Sequence, residues 1–123
     1  MTQQELLAMC MAKPGAEETR PFGPVPVCVK VGNRIFAQIY AGAKHDQVTF
    51  SCTREGGELY QAAFPEAVFP GHHCPAVQRP FFITVSLTGE VPDSYLAVMA
   101  NHAYNAVVAK LPKYVRETLP QEP

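Results

Sequence analysis

Two runs of alternating apolar residues meet at Gly32-Asn33, and this junction constrains the chain more than any other stretch. A two-residue connection built from Gly and Asn between period-two runs specifies an antiparallel hairpin, because both residues accept the left-handed backbone that such a turn requires. On the incoming strand Val27, Val29 and Val31 share one side, with Cys28 and Lys30 on the other. On the return strand, Arg34 to Tyr40, strict alternation places Ile35, Ala37 and Ile39 on one face and Phe36, Gln38 and Tyr40 on the opposite one. Ala41 to Asp46 forms the next connection, with Gly42, Lys44 and His45 at its tip, and Gln47 to Thr53 alternates again through Val48, Phe50 and Cys52. Three successive strands of this kind form an antiparallel meander.

Helical signals flank that sheet. Thr2 followed by Glu5 has the capping-box spacing, and Leu6, Leu7, Cys10 and Met11 then recur on one helical face until Lys13-Pro14-Gly15 ends the helix. Ala16 to Pro26 reads as loop. Gly56-Gly57 reads as a separator before a short helix, Glu58 to Phe64, which Pro65 stops. Pro65, Pro70, Pro75 and Pro80 then stiffen an extended rim, since each fixes its own φ and disfavours helix at the residue before it. Phe81 to Leu87 reads as a further strand with Phe81, Ile83, Val85 and Leu87 toward the core and Phe82, Thr84 and Ser86 outward. Pro92 and Asp93 open a long helix whose stripe of Leu96, Met99, Ala100, Ala103, Val107 and Leu111 should lie across the sheet until Pro112. The expected architecture is α+β: an antiparallel sheet, a meander plus a further strand, covered on one face by an N-terminal and a long C-terminal helix. The other face is left to solvent or a partner.

A chain of 123 residues is expected to form one domain, here residues 1–119 with a frayed tail at 120–123, and buries roughly two-thirds of its unfolded surface without staples. Ten basic and eleven acidic residues leave a net charge of -1, which excludes a strongly basic nucleic-acid binder but allows a local basic patch. No apolar run approaches the ~18 residues needed to cross a bilayer, and the N-terminus lacks signal-peptide character, so a cytoplasmic, non-membrane protein is expected. Cys10, Cys28, Cys52 and Cys74 form no CxxC pair and read as small buried hydrophobes.

The densest interaction chemistry lies between Val68 and Pro92, where His72, His73 and Cys74 precede Arg79 and the Phe81-Phe82 pair. Adjacent histidines on an extended chain point to opposite sides, so they do not readily face one metal, and no metal or cofactor is expected. There is no nucleophile elbow and no phosphate-binding glycine loop, and the carboxylates stand singly on turns and helix starts. A non-enzymatic binding domain follows. Lys30 and Arg34 flank the first hairpin turn and Lys44 tips the next, a placement suited to phosphates, while Phe22, Tyr40 and Phe82 can stack on bases or fill a protein interface.

The runs MAKPGAEE, VKVGNRIFA, FPGHH, FFITVSL and VPDSYLAVMANHAYNAVV together resemble the MmcQ/YjbR family over most of the chain. That resemblance implies a compact α+β fold similar to secretion-chaperone-like and CyaY-like domains, and a DNA-binding role through hairpins arranged as a double wing. The chain departs from the family pattern at Ser51, where a lysine is common, at Pro75-Ala76-Val77, where an Asn-Lys pair is common, and at Phe82, where a tryptophan is common. The resulting expectation is DNA binding with Lys30, Arg34, Lys44 and Arg79 as phosphate contacts and His72, His73 and Phe82 on the adjoining surface. The alternative is a protein-interaction module, an adaptor or chaperone-like domain, that holds its partner on the exposed sheet face.

Overall fold

The computed structural model describes residues 1–41, 46–71 and 75–119. Helix α1, Gln3–Met11, starts at the capping box: Thr2 Oγ1 accepts from Glu5 N–H at 3.1 Å and Glu5 Oε1 accepts from Thr2 N–H at 3.0 Å. Strands β1 (Glu17–Thr19), β2 (Val27–Val31), β3 (Arg34–Tyr40) and β4 (Gln47–Ser51) follow, then α2 (Arg54–Ala63), β5 (Val68–Pro70), a 3-10 turn at Arg79–Phe81, β6 (Phe82–Ser86), α3 (Asp93–Val108) and α4 (Lys113–Arg116). The six strands form one antiparallel sheet in the order β1-β2-β3-β4-β6-β5.

The α+β architecture and the long C-terminal helix across the sheet are as the sequence predicts. All members of the α3 stripe are buried, from Leu96 through Val107 to Leu111, and they cover the sheet side on which Val29, Val31, Ala37, Ile39, Val48, Phe50, Ile83 and Val85 are buried. Gly32 and Asn33 take φ of 56° and 66°, as the tight turn requires.

Several local expectations are corrected. The expected loop Ala16–Pro26 contains β1, and the expected rim contains β5; both are edge strands held by a neighbour, and Pro70 is tolerated in one because an edge strand needs no donor on its outer side. In β3, Phe36 is an extra residue opposite the Val29/Lys30 step, so Ile35 pairs with Lys30 while Ala37 pairs with Val29. This bulge ends the strict alternation and turns Phe36 inward, edge-on to Tyr104 with ring centroids 5.5 Å apart. Helix α2 begins at Arg54 rather than after the glycines, because Thr53 Oγ1 caps Gly56 N–H at 3.0 Å and brings both glycines into its first turn. Finally, Phe81 does not face the core. The 3-10 turn runs from Arg79 with Pro80 as its second residue, Phe81 N–H bonds Gln78 C=O at 2.9 Å, and Phe81 is left 39 % exposed, with β6 starting one residue later.

The outer sheet face is only partly open. Cys28, Thr49, Thr84 and Ser86 are buried there, and the Thr49 and Thr84 hydroxyls bond each other at 2.9 Å across β4 and β6.

Candidate functional site

Strand direction divides the molecule into two ends of opposite charge. At one end lie the β2–β3 turn, the last residue of β4 and the start of β6: Ser51 pairs with Phe82, and its hydroxyl bonds the Ile35 carbonyl at 3.2 Å. Arg34 opens β3 here, Arg54 opens α2 directly after β4, and Arg79 begins the turn that leads into β6. Helix α3 runs back to the same end, so Lys110 follows its last turn. A Cβ placed on Gly32 would meet Leu111 Cδ1 at 2.6 Å and Val115 Cγ1 at 3.2 Å, which shows how closely the chain around α4, with Lys113 and Arg116, is seated on the hairpin. Arg34, Arg54, Arg79, Lys110, Lys113 and Arg116 lie on the surface of this end.

The carboxylates of this end are fewer. Glu17 lies 3.9 Å from Lys30, Glu117 lies 3.8 Å from Lys113, Glu55 is on the first turn of α2, and Glu58 lines a hollow with Arg54 and Arg79. Asp46, Glu66, Glu90 and Asp93 lie at the opposite end, where Leu87 N–H bonds Asp46 C=O and Ser86 N–H bonds Ala67 C=O, both at 2.8 Å. Asp93 there receives the N-terminal ammonium at 3.1 Å. A net charge of -1 therefore hides a cationic end and an anionic end.

Of the residues predicted as phosphate contacts, the structure brings Arg34 and Arg79 to this cationic end on either side of β4. Lys30 is half-buried and engaged, with Nζ 3.3 Å from Asn33 Oδ1 as well as near Glu17. Lys44, His72 and His73 lie outside the described residues. Phe82 is half-buried on the outer sheet face, where with Phe22, Gln38, Tyr40, Thr49 and Gln78 it lines a cleft of about 190 Å³. Phe22 is 66 % exposed, and the Tyr40 hydroxyl donates to Gln38 Oε1 at 2.7 Å.

A second concavity lies between α2 and α3 and joins two overlapping hollows of about 410 and 500 Å³ that share Cys52, Thr53, Ala106 and Ala109. At one end the Tyr60 hydroxyl and His102 Nδ1 are hydrogen bonded at 2.7 Å. At the other, Arg54 Cζ and Lys110 Nζ lie 6.0 and 5.5 Å from the centroid of the Phe81 ring. Sequence reasoning missed this groove: Tyr60 and His102 are 42 positions apart, and simple alternation puts Phe81 in the core.

Burial raises the thiols. Cys10 is pushed up to about 12 and Cys52 to about 11, with Lys110 pulling the latter back, and Cys52 Sγ contacts the Pro80 carbonyl at 3.7 Å. At neutral pH these groups are protonated and weakly nucleophilic. Among the described residues no three His, Cys, Asp or Glu side chains are grouped to hold a metal ion, and no helix is long and apolar enough to cross a membrane.

The YjbR family model matches residues 11–106. The uncharacterized protein YjbR of Escherichia coli K12 is 31% identical over 121 residues, covering 98% of this chain and 99% of the relative, and the protein of the same description from Escherichia coli O157:H7 matches equally. Among solved structures, the Deinococcus radiodurans protein DR2400, carrying domain DUF419, superposes with a TM-score of 0.85 at 27% identity, over 94% of this chain and 86% of that one. A Pseudomonas syringae protein superposes at a TM-score of 0.68 and 14% identity, over 86% of this chain and 98% of that one, and shares the fold. With its fold and most of its length matched in this way, the chain belongs to the YjbR family.

Proposed function

We propose that this chain is a non-enzymatic binding protein that engages DNA phosphates with the cationic end of its sheet. The observation that carries the reading is the excess of surface cations over carboxylates there, with Asp46, Glu66, Glu90 and Asp93 at the opposite end. Arg34 and Arg79 are the contacts retained from the sequence, and Arg116 extends the same surface, while Lys113 stands 3.8 Å from Glu117. Lys30 is not an independent contact, because Glu17 and Asn33 already engage its ammonium.

The test is fluorescence anisotropy with labelled duplex and single-stranded DNA across a salt series. Three phosphate contacts on a duplex give a slope of log K against log salt of roughly -3. Arg34→Ala and Arg79→Ala should each reduce that slope by about 1, uniformly across sequences. Binding that is absent at low salt, or that ignores salt, overturns the proposal. A second reading is favoured by the outer-face cleft, where exposed Phe22 and half-buried Phe82 line the same hollow with Gln38 and Thr49. Aromatic anchors beside polar groups suit a protein segment. In that case a partner's affinity would be salt-insensitive and would fall with Phe22→Ala while Arg34→Ala left it unchanged.

A further inference from the structure

The groove between α2 and α3 is independent of the outer sheet face, and its use does not rest on the nucleic-acid reading. Its floor is the Cys52 thiol, 6 % exposed, with Ala106 and Ala109 on the α3 wall and Thr53 on the α2 side. Such a hollow, mainly apolar with a few convergent polar groups, has the composition and size of a small-molecule site, typically about 300–1,000 Å³.

Charge selects the occupant. Arg54, which opens α2, and Lys110, which follows α3, converge on the exposed ring of Phe81. Neither has a carboxylate within ion-pair distance among the described residues. Glu55 lines the same mouth and Glu58 shares the adjoining hollow with Arg54, so the local excess of positive charge is at most one, which suits a monoanion over a dianion. Guanidinium and ammonium donors at the edge of an apolar hollow match a carboxylate whose apolar body lies along Phe81, Ala109 and Ala106. We propose that the α2–α3 groove binds a small apolar monocarboxylate, with Arg54 and Lys110 on the carboxylate and the apolar body over Cys52 toward the Tyr60–His102 pair.

The probe is 4-phenylbutyrate, titrated into the full chain by calorimetry and by amide chemical shifts, with the neutral amide 4-phenylbutyramide and the dianion phenyl phosphate as comparisons. The expected result is saturable binding below about 10 mM, at least roughly tenfold tighter than the amide, with shifts centred on Thr53, Gly56, Ala106 and Ala109. Arg54→Gln combined with Lys110→Gln should remove that preference. Both side chains lie at the surface, and circular dichroism is the check that the variant folds. Ala109→Leu, which narrows the groove and keeps both cations, should also weaken 4-phenylbutyrate. Equal affinity for acid and amide, shifts centred elsewhere, binding unmoved by these variants, or no saturation at about 10 mM overturns the proposal. Tighter binding of phenyl phosphate overturns the monocarboxylate assignment. Loss of DNA binding in the Arg34 and Arg79 variants bears only on the proposed function, because those residues do not line this groove.

Discussion

Replacing Gly57 by alanine tests how closely α2 is seated on the sheet, and therefore what sets the floor of the α2–α3 groove. Gly57 is buried in the first turn of α2. In a helix interior alanine is favoured over glycine by about 0.8–1 kcal/mol, so propensity alone predicts stabilisation. Packing opposes it. A Cβ at this position would lie 3.0 Å from Cys52 Sγ, 3.3 Å from Ile83 Cγ2 and 3.6 Å from the Pro80 carbonyl oxygen. Ile83 is 1 % exposed and central to the core, so its methyl has little room, and Cys52 Sγ, held 3.7 Å from the Pro80 carbonyl, is the atom that must shift. Overpacking of this kind costs about 1–3 kcal/mol. That cost exceeds the gain in helix propensity, and Gly57→Ala should destabilise the protein by about 1 kcal/mol net, a melting temperature lower by roughly 3–5 °C. A double-mutant cycle identifies the cause. On a Cys52→Ala background the sulfur is gone, and adding Gly57→Ala should cost less, with a favourable coupling of about 0.5–1.5 kcal/mol by chemical denaturation. A Gly57→Ala protein as stable as the parent, or a cycle that is additive, would refute the packing argument.

The buried thiols make a second prediction with a definite pH window. Their folded values of about 12 for Cys10 and about 11 for Cys52 lie above the ordinary 9.0, so protonated thiols leave stability unaffected below pH 9.0, and stability falls as pH rises from there toward the folded values, because the unfolded chain ionises first. Iodoacetamide at about pH 8 should leave both unlabelled in the native protein by peptide mapping and modify them after denaturation. The alkaline fall in the urea midpoint should flatten in Cys10→Ala. A third prediction concerns Tyr104, whose hydroxyl donates to the Pro14 carbonyl at 2.6 Å while its ring packs on Phe36. Tyr104→Phe keeps the ring, leaves that carbonyl without this donor, and should cost about 1–2 kcal/mol in equilibrium unfolding; an unchanged midpoint would show that the bond contributes nothing.

The elements legible in the sequence were those whose signal is local. The Thr2–Glu5 capping box, the Gly32-Asn33 turn and the stripe from Leu96 to Leu111 each declare themselves within a few residues or a few helical turns, because capping, left-handed turns and helical periodicity are short-range requirements. Strands β1 and β5 were not legible, since three-residue edge strands exist only through the neighbour that holds them. The Phe36 bulge was hidden for a related reason: an alternating sequence looks regular until the partner strand shows one residue too many. Phe81 shares the apolar alternation of the strand that follows it, and only the Pro80 turn separates the exposed ring from that strand.

For the candidate site the division is sharper. Arg34 and Arg79 could be named from the sequence as cations on a turn and a rim, and the net charge of -1 argues against a chain that is basic throughout. That they share one end with Arg54, Lys110, Lys113 and Arg116 is decided by tertiary structure. The antiparallel order β3-β4-β6 places Arg34 and Arg79 at the same end of the sheet, and α3 returns Lys110 to it. By itself the sequence determined the hairpin, the helical stripe and hence the α+β class, because backbone conformation and apolar period are properties of neighbouring residues. Only the folded chain decided which charges are neighbours, because their separation in space follows from strand direction and helix packing.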